Sequence, residues 1–311
     1  SFHSGRLLGM SLFVSGPIRT DLLSAERLEL KAESIGRDRV VEGKVVDASL
    51  LGRVRDNGRV LLRCYRALAA VIEEERATTP AAEWLGANFH SVEDVLNEIR
   101  TALPPGFYRQ LPRLGEGPFT GSPRVVGLAS TFVAHTDSRF DPLALQRFVL
   151  AFQRVQPLQI SELWAVPIAL RLTLVENLRR LAEEIVEGRA DRLAADRLAD
   201  ILLGQGEGPP DPLAFRNLGD QVLSTSFAVQ LAQRLRDQDP DATPAARWLE
   251  ERLATVGTSS QELVRAEHQR QGAANVSVRN VITSLRVMGT FDWHEFFESV
   301  SLVDEALNAS G

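Results

Sequence analysis

Three groups of side chains in this sequence have the types that grip a polar molecule. His135, Asp137 and Arg139 stand within the run HTDSR, between a helix ending near Ala134 and the helix start marked by Asp141-Pro142. Imidazole, carboxylate and guanidinium together offer donors and acceptors to a hydroxylated ligand. Short polar residues also cap helix ends, and an Asp137 to Arg139 contact would satisfy both charges without a ligand. In the second group, Trp164 and a kink at Pro167 would make a ledge for a sugar ring, followed by Arg171, Glu176, Arg179 and Arg180. Tryptophan fills cores as well, and Glu176 with Arg180 is a helical i,i+4 ion pair. The third group is Glu267, His268, Gln269, Arg270, Gln271 and Asn275, in the run from Glu262 to Leu285, whose apolar residues Leu263, Val264, Val278, Ile282 and Leu285 lie only at its two ends. On a helix His268, Gln271 and Asn275 share a face, as do Glu267, Arg270 and Gln271. Such a run is either a buried hydrogen-bonded network or a polar-ligand site.

Catalytic constellations are not recognisable. The histidines at 3, 90, 135, 268 and 294 form no HExxH or H-x-x-x-H pair, so no two imidazoles are set on one helix face for a metal. There is no GxSxG, P-loop or GxGxxG, and Lys31 and Lys44 are the only lysines for covalent chemistry. Asp237-Gln-Asp-Pro-Asp241 has the look of a cation-holding D-x-D. No strand precedes it, and a solvated, helix-capping turn accounts for it. The expectation is therefore no catalytic residue and no metal ligand in this chain.

Composition narrows the classes further. A hydrophobic fraction of 44% and a charged fraction of 24% are those of a globular chain. The net charge is −6 and basic residues are interleaved with acids, which argues against nucleic acid as a partner. Cys64 is the single cysteine, on an apolar helix face, and reads as a small core residue in a reducing compartment. No apolar stretch approaches the roughly 18 residues of a membrane span, so the chain reads as soluble, on its own or as a piece of a larger membrane protein.

The elements that must position these groups are helical. Leu61, Tyr65, Leu68 and Ile72, and again Leu170, Leu174, Leu178, Leu181 and Ile185, recur at helical spacing. Long helices are expected near 56–75, 160–187 and 259–287, with capping boxes at Ser91/Asp94, Ser259/Glu262 and Ser301/Asp304 and an N-cap at Asp141 before Pro142. Period-two alternation is absent, so the fold class is all-α: a multi-helix array or bundle of helical hairpins with no significant sheet. A Pro/Gly-rich loop at 104–122 interrupts an N-terminal lobe of residues 1–203, and the linker 204–212 leads to a C-terminal lobe of residues 213–311. Thr79-Pro-Ala-Ala-Glu-Trp-Leu85 echoes Thr243-Pro-Ala-Ala-Arg-Trp-Leu249. Either a hairpin is duplicated, with Trp84 and Trp248 both buried, or Thr-Pro simply opens two helices well.

Several long blocks carry a family resemblance: GPIRTDLLSAERLELKAESI (16–35), DNGRVLLRCYRAL (56–68), PRVVGLASTFVAHTDSRFDP (123–142), QRVQPLQISELWAVPIALRLTLVENLRRLAE (153–183), QRLRDQDPDATPAARWLEERL (233–253), VRAEHQRQGAANVSVRNVITSLR (264–286) and ESVSLVDEAL (298–307). Together they resemble the N-terminal region of cyclic β-1,2-glucan synthases. That resemblance implies a cytoplasmic domain of a bacterial inner-membrane protein, ahead of a glucosyltransferase that uses UDP-glucose. Its partners would be the other domains of the synthase, a second copy of itself, or the glucan. The family's transferase and glycoside-processing motifs have no counterpart here, so no catalytic residue carries over and no cofactor is implied in this chain. Val126 and Ser130 depart from the family's pattern, which has aromatic residues there.

Overall fold

The computed structural model of the chain describes residues 16–38, 40–41, 50–73, 79–102, 106, 110–115, 119–206, 208–219, 221–236 and 244–301. Among them the secondary structure is helical apart from one antiparallel ladder of two-residue strands, β1 (Val40–Val41) and β2 (Arg113–Leu114). The all-α expectation therefore holds. The chain divides into two compact units, residues 1–182 with 277–311, and residues 183–276.

The first unit contains α1 (Ala25–Gly36), α2 (Leu50–Glu73), α3 (Pro80–Ala102), α4 (Arg124–His135), α5 (Pro142–Gln153), the start of α6 (Ile160–Leu203), the end of α9 (Ser260–Thr290) and α10 (Trp293–Val300). Its core includes Phe132, Phe148 and Phe152 with Leu170, Leu174 and Leu178, and on α9 Val278, Val281, Ile282, Leu285 and Met288. Helix α1 lies along α5, where Gly36 permits close approach: a Cβ there would sit 3.0 Å from Val155 Cβ. Glu29 of α1 reaches Arg147 at 2.5 Å and Arg154 at 3.0 Å. Helices α2 and α3 meet through Tyr65 and Phe89, stacked with ring centroids 4.2 Å apart. Cys64 is buried on α2, as its helix face predicts.

The second unit joins the rest of α6 to a 3-10 turn (Ala214–Leu218), α7 (Thr225–Leu235), α8 (Pro244–Thr255) and the start of α9. Ala195, Ala199 and Leu202 pack with Phe215, Ala228, Leu231, Leu235, Leu249 and Leu253. Segment 204–212, expected to link two lobes, lies inside this unit. Gly204, at φ +64, ends α6 in the left-handed conformation that glycine adopts without a Cβ penalty. The Gln205 N–H then donates back to Asp200 O at 2.8 Å, and Asp211 N–H to Ile201 O at 3.0 Å, folding the segment onto α6.

Capping explains most helix starts. Asp141 accepts from the Leu143 and Ala144 amides, and the Ser259/Glu262 box is reciprocal, at 3.3 and 3.1 Å. Ser91 is a correction: it lies in the middle of α3, whose start is Thr79-Pro80, because the apolar stripe Leu85, Phe89, Val92, Leu96, Ile99 runs through it unbroken. Ser301 caps the C-terminus of α10, and its expected box partner Asp304 lies outside the described residues. So do Thr243, the Asp237–Asp241 run and, within 104–122, residues 104–105, 107–109 and 116–118. Trp84 and Trp248 are both half-buried rather than buried, each with an arginine over its ring, Arg279 at 5.9 Å and Arg252 at 5.5 Å.

Candidate functional site

Two buried carboxylates gather the polar side chains of the expected clusters, Asp137 in the first unit and Glu267 in the second. In the first, Asp137 and Ser138 follow the C-cap of α4 with φ of 48° and 63°, a left-handed pair without glycine. Each such residue costs on the order of 1–2 kcal/mol. Partners hold them there. Ser277 Oγ donates to Asp137 Oδ1 at 2.5 Å, Asn280 Nδ2 to Asp137 O at 2.9 Å, and Ser284 Oγ to Ser138 O at 2.7 Å. From α6, Asn177 Nδ2 donates to Ser138 Oγ at 2.8 Å.

The expected local ion pair does not form: the cation facing Asp137 is Arg19, at 3.8 Å, while exposed Arg139 donates from Nε to the Thr136 carbonyl at 3.4 Å. His135 points elsewhere, its Nδ1–H donating to Asp21 O at 2.9 Å.

The second carboxylate is Glu267, 2% exposed. It accepts from Ser226 Oγ at 3.0 Å, Gln271 Nε2 at 2.8 Å and Arg270 Nε at 3.0 Å, and Arg192 stands 3.6 Å away. Arg270 also donates to Glu184 at 2.9 Å and to Ser226 Oγ at 2.7 Å. Gly188 makes room for this: a Cβ there would lie 3.0 Å from Ser226 Oγ. Burial pushes the Glu267 carboxyl up, but the hydrogen bonds from Gln271, Arg270 and Ser226 and the Arg270 charge outweigh it and hold the group below the usual range. Burial likewise draws the Arg192 guanidinium down, against the pull of Glu267. Glu267, Arg270 and Gln271 are thus brought together as their spacing predicts. His268 and Gln269 are exposed and take no part in these bonds, and Asn275 is half-buried further along the helix.

Trp164 is 63% exposed on the second turn of α6, next to Ile160, also exposed. Arg171 turns away to the Met288 carbonyl at 3.0 Å, with its guanidinium 5.9 Å over Trp293 and 3.5 Å from Glu98. Burial lowers its pKa, opposed by Glu98. Glu176 keeps its pairing with Arg180 at 3.4 Å and adds Arg53 at 2.5 Å.

Reading the sequence missed the Arg124–Glu162 pair. Arg124 Nε and Nη2 each donate to a Glu162 oxygen at 2.6 Å, and Nη2 also reaches Pro157 O at 2.7 Å. The one local signal was Glu162 near the start of α6, where its Oε2 accepts the Gln159 N–H at 2.9 Å. Among the described residues no three His, Cys, Asp or Glu are grouped to hold a metal ion, and no helix is long and apolar enough to cross a membrane.

Comparison with known proteins gives one strong likeness. The chain is similar to the cyclic beta-(1,2)-glucan synthase NdvB of Rhizobium meliloti (strain 1021), at 40% identity over 259 residues. The match covers 82% of this chain and 9% of that protein, so the likeness is to a part of it. No protein-family model matches the chain.

Proposed function

We propose that this chain is a non-catalytic helical module of a cyclic β-1,2-glucan synthase, which packs on or regulates the part that polymerises glucose from UDP-glucose. The long likeness to one part of such a synthase supports the parentage. The observation that carries the non-catalytic role is the direction of the polar groups. Asp137, Glu162, Glu176 and Glu267 are all buried, and each is engaged by serine, arginine or amide donors from other helices or turns of its own unit. A carboxylate with its lone pairs filled from within holds helices in register and has little left for a substrate. In this reading the module is the cytoplasmic neighbour of a membrane-embedded transferase, and the other domains of the synthase are its partners.

The test uses the purified chain with UDP-glucose, and separately with β-1,2-glucan. No transfer and no hydrolysis is the expected result, and turnover that survives controls for contaminating enzymes would overturn the reading. Restoring synthesis to a synthase lacking this region, by adding the chain in trans, would establish the packing role.

A second reading, a module that binds β-1,2-glucan, rests on Trp164. An indole largely open to water offers the flat apolar face on which sugar C–H groups stack. Calorimetric titration with β-1,2-glucan oligosaccharides separates the two, since saturable binding lost in Trp164→Ala would favour the sugar.

A further inference from the structure

Residues 16–23 form an open, non-helical strap ahead of α1, with most of its side chains facing water and Leu22 59% exposed. Its attachment runs almost entirely through its backbone. Arg180 Nη1 donates to Gly16 O at 3.1 Å, and the Ile18 N–H donates to Asn177 Oδ1 at 2.6 Å. The Thr20 N–H donates to Ala134 O and the Leu23 N–H to His135 O, each at 3.2 Å. His135 Nδ1–H closes the set on Asp21 O at 2.9 Å. Among the described residues, Arg19 to Asp137 at 3.8 Å is the side-chain ion pair of the strap, and Pro17, Ile18 and Leu23 are half-buried.

The channel beneath the strap, built from the end of α4 and from Asn177 and Arg180 of α6, therefore makes its hydrogen bonds to a main chain. Recognition through backbone groups is how sheet edges and peptide grooves take up segments from other chains. Such a strap also opens more easily than the core, because few apolar groups leave their packing when it lifts. Asn177 Oδ1 and the Ala134 and His135 carbonyls, which accept the strap's N–H groups here, are the acceptors an opened channel would present to another main chain. The one peptide known to fit is the chain's own.

We propose that the channel is an acceptor site for a peptide main chain, filled here by the chain's own strap and filled in trans by residues 16–23 of a second copy. Exchange of an identical element recreates the same bonds between two chains, so concentration decides between the two arrangements. The proposal is independent of the synthase reading, since neither the likeness nor the buried carboxylates enter it.

The test begins with amide hydrogen exchange on the intact chain. The Ile18, Thr20 and Leu23 amides should exchange on the order of 100-fold or more faster than those of Leu174 and Leu178 in α6. Next, a fluorescent peptide of residues 16–24 is titrated into the full-length Thr20→Pro variant, which lacks the N–H given to Ala134 O. Saturable binding is expected there, at least about tenfold weaker binding to the wild type whose channel is filled, and none by a peptide carrying proline at position 20. Ile18→Pro serves if Thr20→Pro lacks the helical circular dichroism of the parent. Finally, sedimentation of the wild type should show dimers only at concentrations on the order of millimolar, the effective concentration of a tethered strap. Strap amides that exchange only with the whole fold, a vacated channel that ignores the peptide, or a chain that stays monomeric at that concentration would each overturn the proposal.

Discussion

Arg124 holds Glu162 through two parallel hydrogen bonds of 2.6 Å, with the two side chains 4% and 0% exposed. The pair ties the first turn of α4 to the first turn of α6. It is the most thoroughly desolvated ion pair described in this chain, and half of it alone would be a stranded charge.

Glu162→Ala is therefore expected to destabilise the first unit by about 3–5 kcal/mol, while the paired change Arg124→Met with Glu162→Leu costs much less. Chemical denaturation followed by circular dichroism measures both. A single variant as stable as the parent would contradict the buried geometry.

Arg270→Ala removes the nearer of the two cations at Glu267 and leaves Gln271, Ser226 and Arg192 in place. The expected loss is about 1–3 kcal/mol, the penalty for a buried acceptor that loses one of several partners. A melting temperature unchanged from wild type, together with lost oligosaccharide binding, would instead make this cluster a ligand site.

Acid should weaken the second unit through the same residue. The folded Glu267 carboxyl lies below its ordinary value of 4.5, so its contribution to stability is fully present above that pH and is lost as pH falls through the lower, folded value. Denaturation midpoints measured between roughly pH 6 and pH 3 should fall less steeply for Glu267→Gln than for the parent. Parallel slopes would show that the carboxylate is not favoured by folding.

Gly127 faces Leu114 so closely that a Cβ would sit 2.7 Å from its Cδ1. Gly127→Ala should cost about 1–3 kcal/mol by overpacking, and adding Leu114→Ala should recover part of it despite the lost leucine. Double-mutant denaturation checks the sign of that coupling.

Trp164→Ala should shift stability by no more than about 0.5 kcal/mol, as for an exposed side chain away from any network. A larger loss in thermal denaturation would mean that its face is covered in solution.

Helical spacing made the long helices legible, because burial of Leu61 and Leu68, or of Leu170, Leu174 and Leu178, follows directly from a 3.6-residue repeat. Local polar chemistry was legible where it is local: Ser259 with Glu262 caps α9 as its spacing says, and Glu267 meets Gln271 one turn on. Ser91 misled because the same Ser-x-x-acid spacing occurs inside a helix that an apolar stripe keeps going. Arg124 with Glu162, Arg53 with Glu176 and Ser226 with Glu267 were invisible, since nothing in the neighbourhood of either partner announces the other. The same limit explains Asp137: its cation is Arg19, far away in sequence, and not the nearby Arg139.

The first unit is discontinuous in sequence, whereas residues 183–276 are contiguous. On a ribosome, Asp137 and Ser138 emerge long before Ser277, Asn280 and Ser284, the α9 residues that hold their left-handed backbone. At about 5–20 residues per second the nascent chain waits for seconds with that turn unsupported. Residues 183–276 are thus the unit able to mature first, and the residues before them complete their fold only when the end of α9 and α10 arrive.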